Sequence, residues 1–306
     1  MSRKHRFANL DQVETTKTFA DFRRWQKEHR QNKKDLSIRI EQAPHKEVEK
    51  LKNNRTGISI TWIGHSTFLI QMNGLNMLTD PVWANWMGIS KRLTAPGIVL
   101  TDLPEIDVVF ISHGHYDHLD FPTIKRLKGN PTYYVPNGLG HAFKKRGYEK
   151  VFEANWYDWF EMADMTFSFV PAQHWVKRTL TDTNTSHWGG WIIENEEHSI
   201  YFVGDTGYFR GFKEIAEKFN IQTVLMPIGA YEPEWFLKES HINPEDAVKA
   251  FLELEAHTFI PMHYGTYHLA DDTGPEAIAR LDAEWNRLQL DPSKLKKLLV
   301  GETWWM

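Results

Sequence analysis

Four side chains able to bind a metal ion fall within six consecutive residues of this 306-residue chain: His113, His115, Asp117 and His118, in the run IDVVFISHGHYDHLD. Three imidazoles and a carboxylate are more donors than one tetrahedral ion uses, so the loop reads as the seed of two adjacent metal positions. In extended backbone, alternate side chains share a side, which sets His113 beside His115. A turn through Asp117 and His118 then presents a second pair of donors. With fifteen His in the chain, an H-x-H-x-D-H pattern arises by chance in roughly two chains per thousand, so a surface accident explains it poorly.

The apolar run Ile106–Ile111 before the cluster predicts a buried strand, and three further donors stand in the same relation to apolar runs. His174 follows FSFV, Asp205 follows SIYFV and His263 follows TFIPM. Open sheets concentrate ligand chemistry at strand carboxyl ends, so four strands reaching one edge would assemble seven donors. Imidazole with carboxylate suits zinc, and also manganese or iron(II). Two such divalent ions lower the pKa of a shared water from ~15.7 towards ~7 and polarise a phosphoryl or carbonyl oxygen. Lys177 and Arg178, three and four residues past His174, can pair with phosphate or form a solvated surface pair.

The elements that must position these groups are mostly short and β-rich. Strands are predicted at Ile58–Ile63, Thr67–Gln71, Asn76–Leu78, Val108–Ile111, Thr132–Val135, Thr166–Val170, Gly190–Ile193, Ser199–Val203, Thr223–Met226 and Thr258–Ile260. Helical patterns lie between several of them, at Pro122–Lys128, Gly140–Lys145, Phe212–Lys218, Pro244–Leu254 and Pro275–Leu288. Strands that cluster first and alternate with helices later indicate an α/β (α+β) fold of sheets covered by helices, not a Rossmann alternation. Residues 1–55 differ: they are polar, basic and helical in pieces, and read as an extension to a catalytic domain over 56–306. The aromatic stretch Val82–Ile98 reads as an ordered functional loop.

Composition narrows the possibilities further. Apolar residues make up 41% of the chain, enough for a large core. There is no cysteine, which excludes disulfides, thiolate nucleophiles and thiolate metal ligands. The net charge of −4 gives no sign of a nucleic-acid binder. Residues 1–60 nevertheless carry fifteen Lys/Arg against eight Asp/Glu, a local +7 that suits an anionic surface or simply a solvated helical face. No secretory pattern and no spanning apolar run is visible, so a cytoplasmic protein is expected. Peripheral membrane contact and homo-oligomerisation are compatible with that. Among thirteen Trp, Trp83, Trp86, Trp175 and Trp235 lie beside the motifs, where they can wall an apolar substrate; Trp304 and Trp305 can cap a core or meet a partner.

The order H-x-H-x-D-H, then His, Asp and His, resembles the metallo-β-lactamase superfamily. The blocks WIGHSTFLIQMNGLNMLTDPVW, PAQHWVKRTL, GDTGYF, PIGAYEPEWF and ESHINPEDAV resemble, over most of 57–270, the branch containing N-acyl-phosphatidylethanolamine phospholipase D and its bacterial relatives. Ascorbate-6-phosphate lactonases are more distant kin. The resemblance implies a four-layer αββα sandwich with a metal pair, zinc by preference, at one edge. It implies one metal on His113, His115 and His174, a second on Asp117, His118 and His263, and Asp205 between them. It further implies Asp80 as an orienting carboxylate, His65 near the site and His241 near a substrate phosphate, so that Asp117 and His241 lie closest to the reaction. The implied activity is hydrolysis of a phospholipid diester by a metal-bridging hydroxide; a lactonase acting on a small sugar-phosphate-like substrate is the alternative.

Overall fold

A computed structural model of the chain describes residues 5–31 and 33–306; residues 1–4 and 32 of the basic extension lie outside the described residues. In chain order, strands β1 (Ser59–Gly64), β2 (Thr67–Met72), β3 (Leu75–Thr79), the hairpin β4–β5 (Trp86–Met87, Ser90–Lys91), β6 (Val108–Phe110), β7 (Thr132–Pro136) and β8 (Val151–Ala154) form the first half. They are followed by β9 (Trp159–Met162), β10 (Met165–Val170), β11 (Gly190–Glu194), β12 (Ser199–Phe202), β13 (Thr223–Pro227), β14 (Thr258–Met262) and β15 (Thr303–Trp305). The helices are α1 (Phe19–Gln31), α2 (Val48–Asn53), α3 (Phe121–Ile124), α4 (Gly140–Lys144), α5 (Gly211–Ala216), α6 (Glu234–Leu237), α7 (Pro244–Glu253) and α8 (Gly274–Arg287).

Two sheets result, ordered β15-β1-β2-β3-β6-β7-β8 and β14-β13-β12-β11-β10-β9. The period of two along each strand decides which layer a side chain joins. In the first sheet Ile60, Trp62, Phe68, Ile70, Val108 and Phe110 face the second sheet, where they meet Phe167, Trp191 and Phe202. The intervening Ile63, Leu69, Leu78, Val109 and Ile111 face outward and are covered by Leu51 of α2, Ile124 of α3 and Phe143 of α4. On the far side of the second sheet, Phe212 and Ile215 of α5, Val248 and Phe251 of α7, and Leu281 and Trp285 of α8 join the core. The layers are helix, sheet, sheet, helix, as expected. Val108–Ile111 is apolar throughout because both of its faces are covered.

All ten predicted strands form. Sequence reasoning did not identify the edge strands β8, β9 and β15 or the short helices α2 and α6. VFEA and WFEM carry charges and are half exposed, the usual signature of strands with one free side. Trp304 and Trp305 form β15 against β1, with Trp305 Nε1 donating to Glu47 at 2.7 Å. The stretch 82–98 is ordered by the β4–β5 hairpin and by buried Arg92, which donates to Thr94 O at 2.9 Å and to the Tyr267 hydroxyl at 2.8 Å.

Candidate metal centre

Strand direction brings the donors together. β3, β6 and β7 run parallel, as do β12, β13 and β14, and β10 regains that direction through antiparallel β11. The carboxyl ends of β3, β6, β10, β12 and β14 therefore share one edge, and Asp80, the 113–118 loop, His174, Asp205 and His263 follow them directly. His65 sits in the β1–β2 turn at the same edge. His241 stands just before α7, whose start is fixed by Asn243 accepting the Asp246 N–H at 2.7 Å.

The first trio is tight. His115 Nδ1 lies 3.0 Å from His113 Nε2 and 3.2 Å from His174 Nε2. Nitrogens about 2.05 Å from a tetrahedral ion stand roughly 3.3 Å apart, so this spacing fits one ion. The second group shares the Asp205 carboxylate: His118 Nε2 is 3.2 Å from Oδ2, and His263 Nε2 is 3.2 Å from Oδ1. Asp117 Oδ2 adds a third side, 3.4 Å from His118 Nε2 and 3.7 Å from His263 Nε2. The same Asp205 Oδ2 is 3.9 Å from both His113 Nε2 and His174 Nε2, which places this carboxylate between the two groups.

The buried atoms at this point lack partners in the manner of metal ligands. His118 Nε2, His263 Nε2 and Asp205 Oδ1 are buried without a hydrogen bond, although His118 Nε2 lies 3.2 Å from Asp205 Oδ2 and His263 Nε2 3.2 Å from Oδ1. Close approach without hydrogen-bond geometry is what donors aimed at a common point show. The electrostatics agree. Burial would raise the carboxyls of Asp117 and Asp205, yet neighbouring imidazoles, His118 foremost, hold both well below their usual range. In turn Asp205, Asp117 and Asp80 overcome the burial of His118 and hold it well above an ordinary imidazole, while His263 is raised to about 9. The pocket draws positive charge, and its donor set fits two divalent cations.

A second ring of contacts aims the donors. Asp80 Oδ2 is 2.6 Å from His118 Nδ1 and accepts the Ser112 hydroxyl at 2.5 Å, and Oδ1 accepts the Ser112 N–H at 2.7 Å. The Ser112 hydroxyl lies 2.9 Å from His113 Nδ1, so one carboxylate orients two imidazoles. His174 Nδ1 donates to Ser240 O at 2.9 Å, and His65 Nε2 holds Asp117 Oδ2 at 3.1 Å. His65, Asp80 and His263 all have left-handed backbone, at φ +55, +32 and +64. Such strain gathers where a side chain must point against local preference. Gly204, at φ +73, lets β12 close on Ser112: an added Cβ would stand 2.6 Å from the Ser112 Cβ.

The remaining expected residues have separate fates. His241 Nδ1 lies 3.9 Å from Asp205 Oδ2, with its ring beside those of His174 and His263. Lys177 is exposed and lines a cavity of about 610 Å³ with Phe19, Phe22, Trp25, Trp175 and Phe236. Arg178 is half-buried rather than a solvated surface group. Its guanidinium donates to Gly114 O at 2.6 Å and Leu119 O at 3.0 Å and stacks on Tyr116, clamping the 113–118 loop. Trp86 lines a second opening, of about 560 Å³, with Tyr116, His115 and Asp117. Trp83 belongs to the core, and Trp235 donates to Glu28 of α1. Ser112, Ser240 and Asn9, which touches His174, were not identified from sequence; of these only Ser112, wedged between strand and ligand, left a signal there.

Comparison with known proteins agrees with this geometry. Residues 75–264 match the beta-lactamase superfamily domain family. The chain is 39% identical over 234 residues to N-acyl-phosphatidylethanolamine-hydrolyzing phospholipase D 1 of Caenorhabditis elegans, covering 70% of this chain and 66% of that protein. It thus spans just under two thirds of that relative's length. It is 32% identical over 212 residues to a UPF0173 metal-dependent hydrolase of Methanopyrus kandleri, covering 68% of this chain and 84% of that protein. The crystal structure of a possible metal-dependent hydrolase from Veillonella parvula superposes with a TM-score of 0.68 at 16% identity, over 81% of this chain and 99% of that one, a likeness of fold. The chain belongs to the beta-lactamase superfamily and has the metallo-β-lactamase fold of metal-dependent hydrolases.

Proposed function

We propose that the chain is a dinuclear metal-dependent phosphodiesterase acting on an N-acyl-phosphatidylethanolamine-like phospholipid. The observation that carries this reading is a large, aromatic-walled cavity beside the seven-donor site: the Trp175 ring that lines the cavity stands 4.8 Å from the His115 ring. A sugar-phosphate lactone would call for a compact polar pocket; walls of Phe19, Phe22, Trp25, Trp175 and Phe236 suit acyl chains. The named activity of the Caenorhabditis relative supports the same substrate class.

Hydrolysis of such a diester adds water across one P–O bond and releases an N-acylethanolamine alcohol and a phosphatidic acid. Two divalent ions, zinc by preference, supply a water-derived nucleophile at neutral pH and neutralise charge on the phosphoryl group when bound. His113, His115 and His174 would hold one, Asp117, His118 and His263 the other, with Asp205 shared. His241 Nδ1 stands 3.9 Å from Asp205 Oδ2. Burial pushes its imidazole down to about 4, so the ring is neutral at pH 7 and offers an N–H to a phosphoryl oxygen. His65 and Asp80 keep Asp117 and His118 aimed while the phosphate moves.

The surface around the two openings suits a lipid bilayer. Ile89 at the tip of the β4–β5 hairpin is 99% exposed, Leu180 91% and Phe19 77%. The Tyr116 hydroxyl donates to Arg178 O at 2.9 Å and joins the hairpin side to the Leu180 side, and Lys17 and Lys177 line the same cavity as Phe19. Apolar side chains among lysines match an anionic interface. A turnover screen of the metal-loaded chain tests the proposal, comparing bis-nitrophenyl phosphate, N-acyl-phosphatidylethanolamine and a panel of lactones. The two diesters are expected to turn over. Turnover of the lactones alone would overturn the reading.

A further inference from the structure

The loop carrying His174 leaves β10 at Val170 and forms no strand of its own. Side chains hold much of its backbone: the Gln173 N–H donates to Thr206 Oγ1 at 2.9 Å, and the Val176 N–H to Asn184 Oδ1 at 3.0 Å. His174 itself is held from the other end of the chain. Its N–H donates to Asn9 Oδ1 at 2.9 Å, and Asn9 Nδ2 donates back to His174 O at 2.9 Å, across 165 residues of sequence. The rest of the amide is also occupied, with Trp188 Nε1 donating to Oδ1 at 3.0 Å and Nδ2 donating to Val13 O at 3.0 Å. The Thr15 hydroxyl adds a third bond, to His174 O at 3.2 Å. Asn9 is 5% exposed and Thr15 2%.

We infer that the N-terminal segment is part of the metal centre, with Asn9 as a positioning residue that fixes His174 and Thr15 as its support. The inference rests on the reading of His113, His115 and His174 as a metal position. A buried amide making all four of its bonds has one orientation, and it transmits that orientation to the peptide groups it grips. His174 is then fixed at two places: its backbone by Asn9, and its ring by the bond from Nδ1 to Ser240 O. With the backbone grip gone, the ring pivots about Ser240 and Nε2 leaves the position 3.2 Å from His115 Nδ1. Neither Asn9 nor Thr15 bonds to Asp117, His118 or His263, so the effect is confined to one of the two positions.

The test uses the full chain loaded with zinc or cobalt(II), with metal affinities read by chelator competition and the cobalt absorption spectrum as a local probe. The parent is expected to bind two ions. In Asn9→Ala one of them should bind about tenfold or more weakly, with the other within twofold and with a spectral change in one ion alone. Thr15→Val should show a smaller loss at the same ion. Asp11→Ala, which removes the exposed pair with Arg210 from the same segment, should leave both unchanged. Two affinities within twofold of the parent in Asn9→Ala would overturn the inference, as would equal weakening of both ions. If Asn9→Ala does not fold, Thr15→Val decides: a loss at one ion supports the inference and unchanged binding overturns it. A parent that binds no metal would overturn the metal reading itself, which separates the two failures.

Discussion

Asp80 and Ser112 show how much of the centre is decided by single side chains outside the donor set. One carboxylate at the end of β3 aims His118 directly and His113 through a hydroxyl, so its loss disturbs both groups of donors. The donors were legible in sequence because each directly follows an apolar strand, and at a strand end chain position and spatial position coincide. Ser240 was not legible because it acts through its carbonyl oxygen, which any residue carries. Arg178 has a role that sequence did not suggest: next to exposed Lys177 it reads as a phosphate partner, whereas here its Nη1 donates to loop carbonyls. His241 belongs to this scale as well. In His241→Ala we expect two ions to remain bound and kcat for bis-nitrophenyl phosphate to fall about 10²-fold, the lower end for loss of one hydrogen-bond donor to a transition-state oxygen. Steady-state kinetics with metal analysis check this, and unchanged kcat would remove His241 from the reaction.

Among the elements, the buried strands were readable and the edges were not. β6 announces itself by the four consecutive apolar residues Val108–Ile111, whereas β8 and β9 carry charges and gain their structure from partners distant in sequence. Helix α1 buries none of its own residues, and its amphipathic pattern finds only part of a partner in the Trp25–Phe236 stack and the Trp235–Glu28 bond. Phe19 and Phe22 are left to the cavity. The hairpin β4–β5 and the loop around Leu180 likewise present apolar tips to solvent. Replacing these tips with charge, as in Ile89→Asp with Leu180→Asp, is expected to reduce sedimentation with anionic vesicles at least about tenfold. Hydrolysis of bis-nitrophenyl phosphate in solution should stay within twofold. Undiminished vesicle binding would show that the tips do not face lipid.

For the whole molecule, the basic extension is the feature that sequence described least well. It read as an appendage with its own composition, yet Asn9 and Thr15 grip a ligand loop, Phe7 stacks on His187 at 4.3 Å, and Lys34 pairs with Glu276 of α8. These contacts join residues more than a hundred positions apart, and no local pattern encodes them. The burial of His187 also couples folding to acidity. Burial pushes His187 down to about 3, against about 6.5 in an unfolded chain, so between these values the unfolded state holds a proton that the folded state lacks. Stability therefore falls as pH drops from 6.5 towards 3. His187→Phe keeps the stacking and removes the titration; denaturant unfolding at pH 7 and pH 4 should show the parent losing roughly 3 kcal/mol more than the variant. Equal losses would assign the acid sensitivity elsewhere.

The central claim is that seven donors from four strand ends hold two divalent ions on which phosphodiester hydrolysis depends. The most direct measurement is the hydrolysis of N-acyl-phosphatidylethanolamine by the full chain before metal stripping, after stripping verified by elemental analysis, and after metal is restored, with Asp205→Asn alongside. Two ions per chain are expected, with activity lost on stripping and regained on restoration, and with neither full metal content nor activity in Asp205→Asn. Undiminished hydrolysis by the verified metal-free chain, or Asp205→Asn retaining both ions and full activity, would contradict the account.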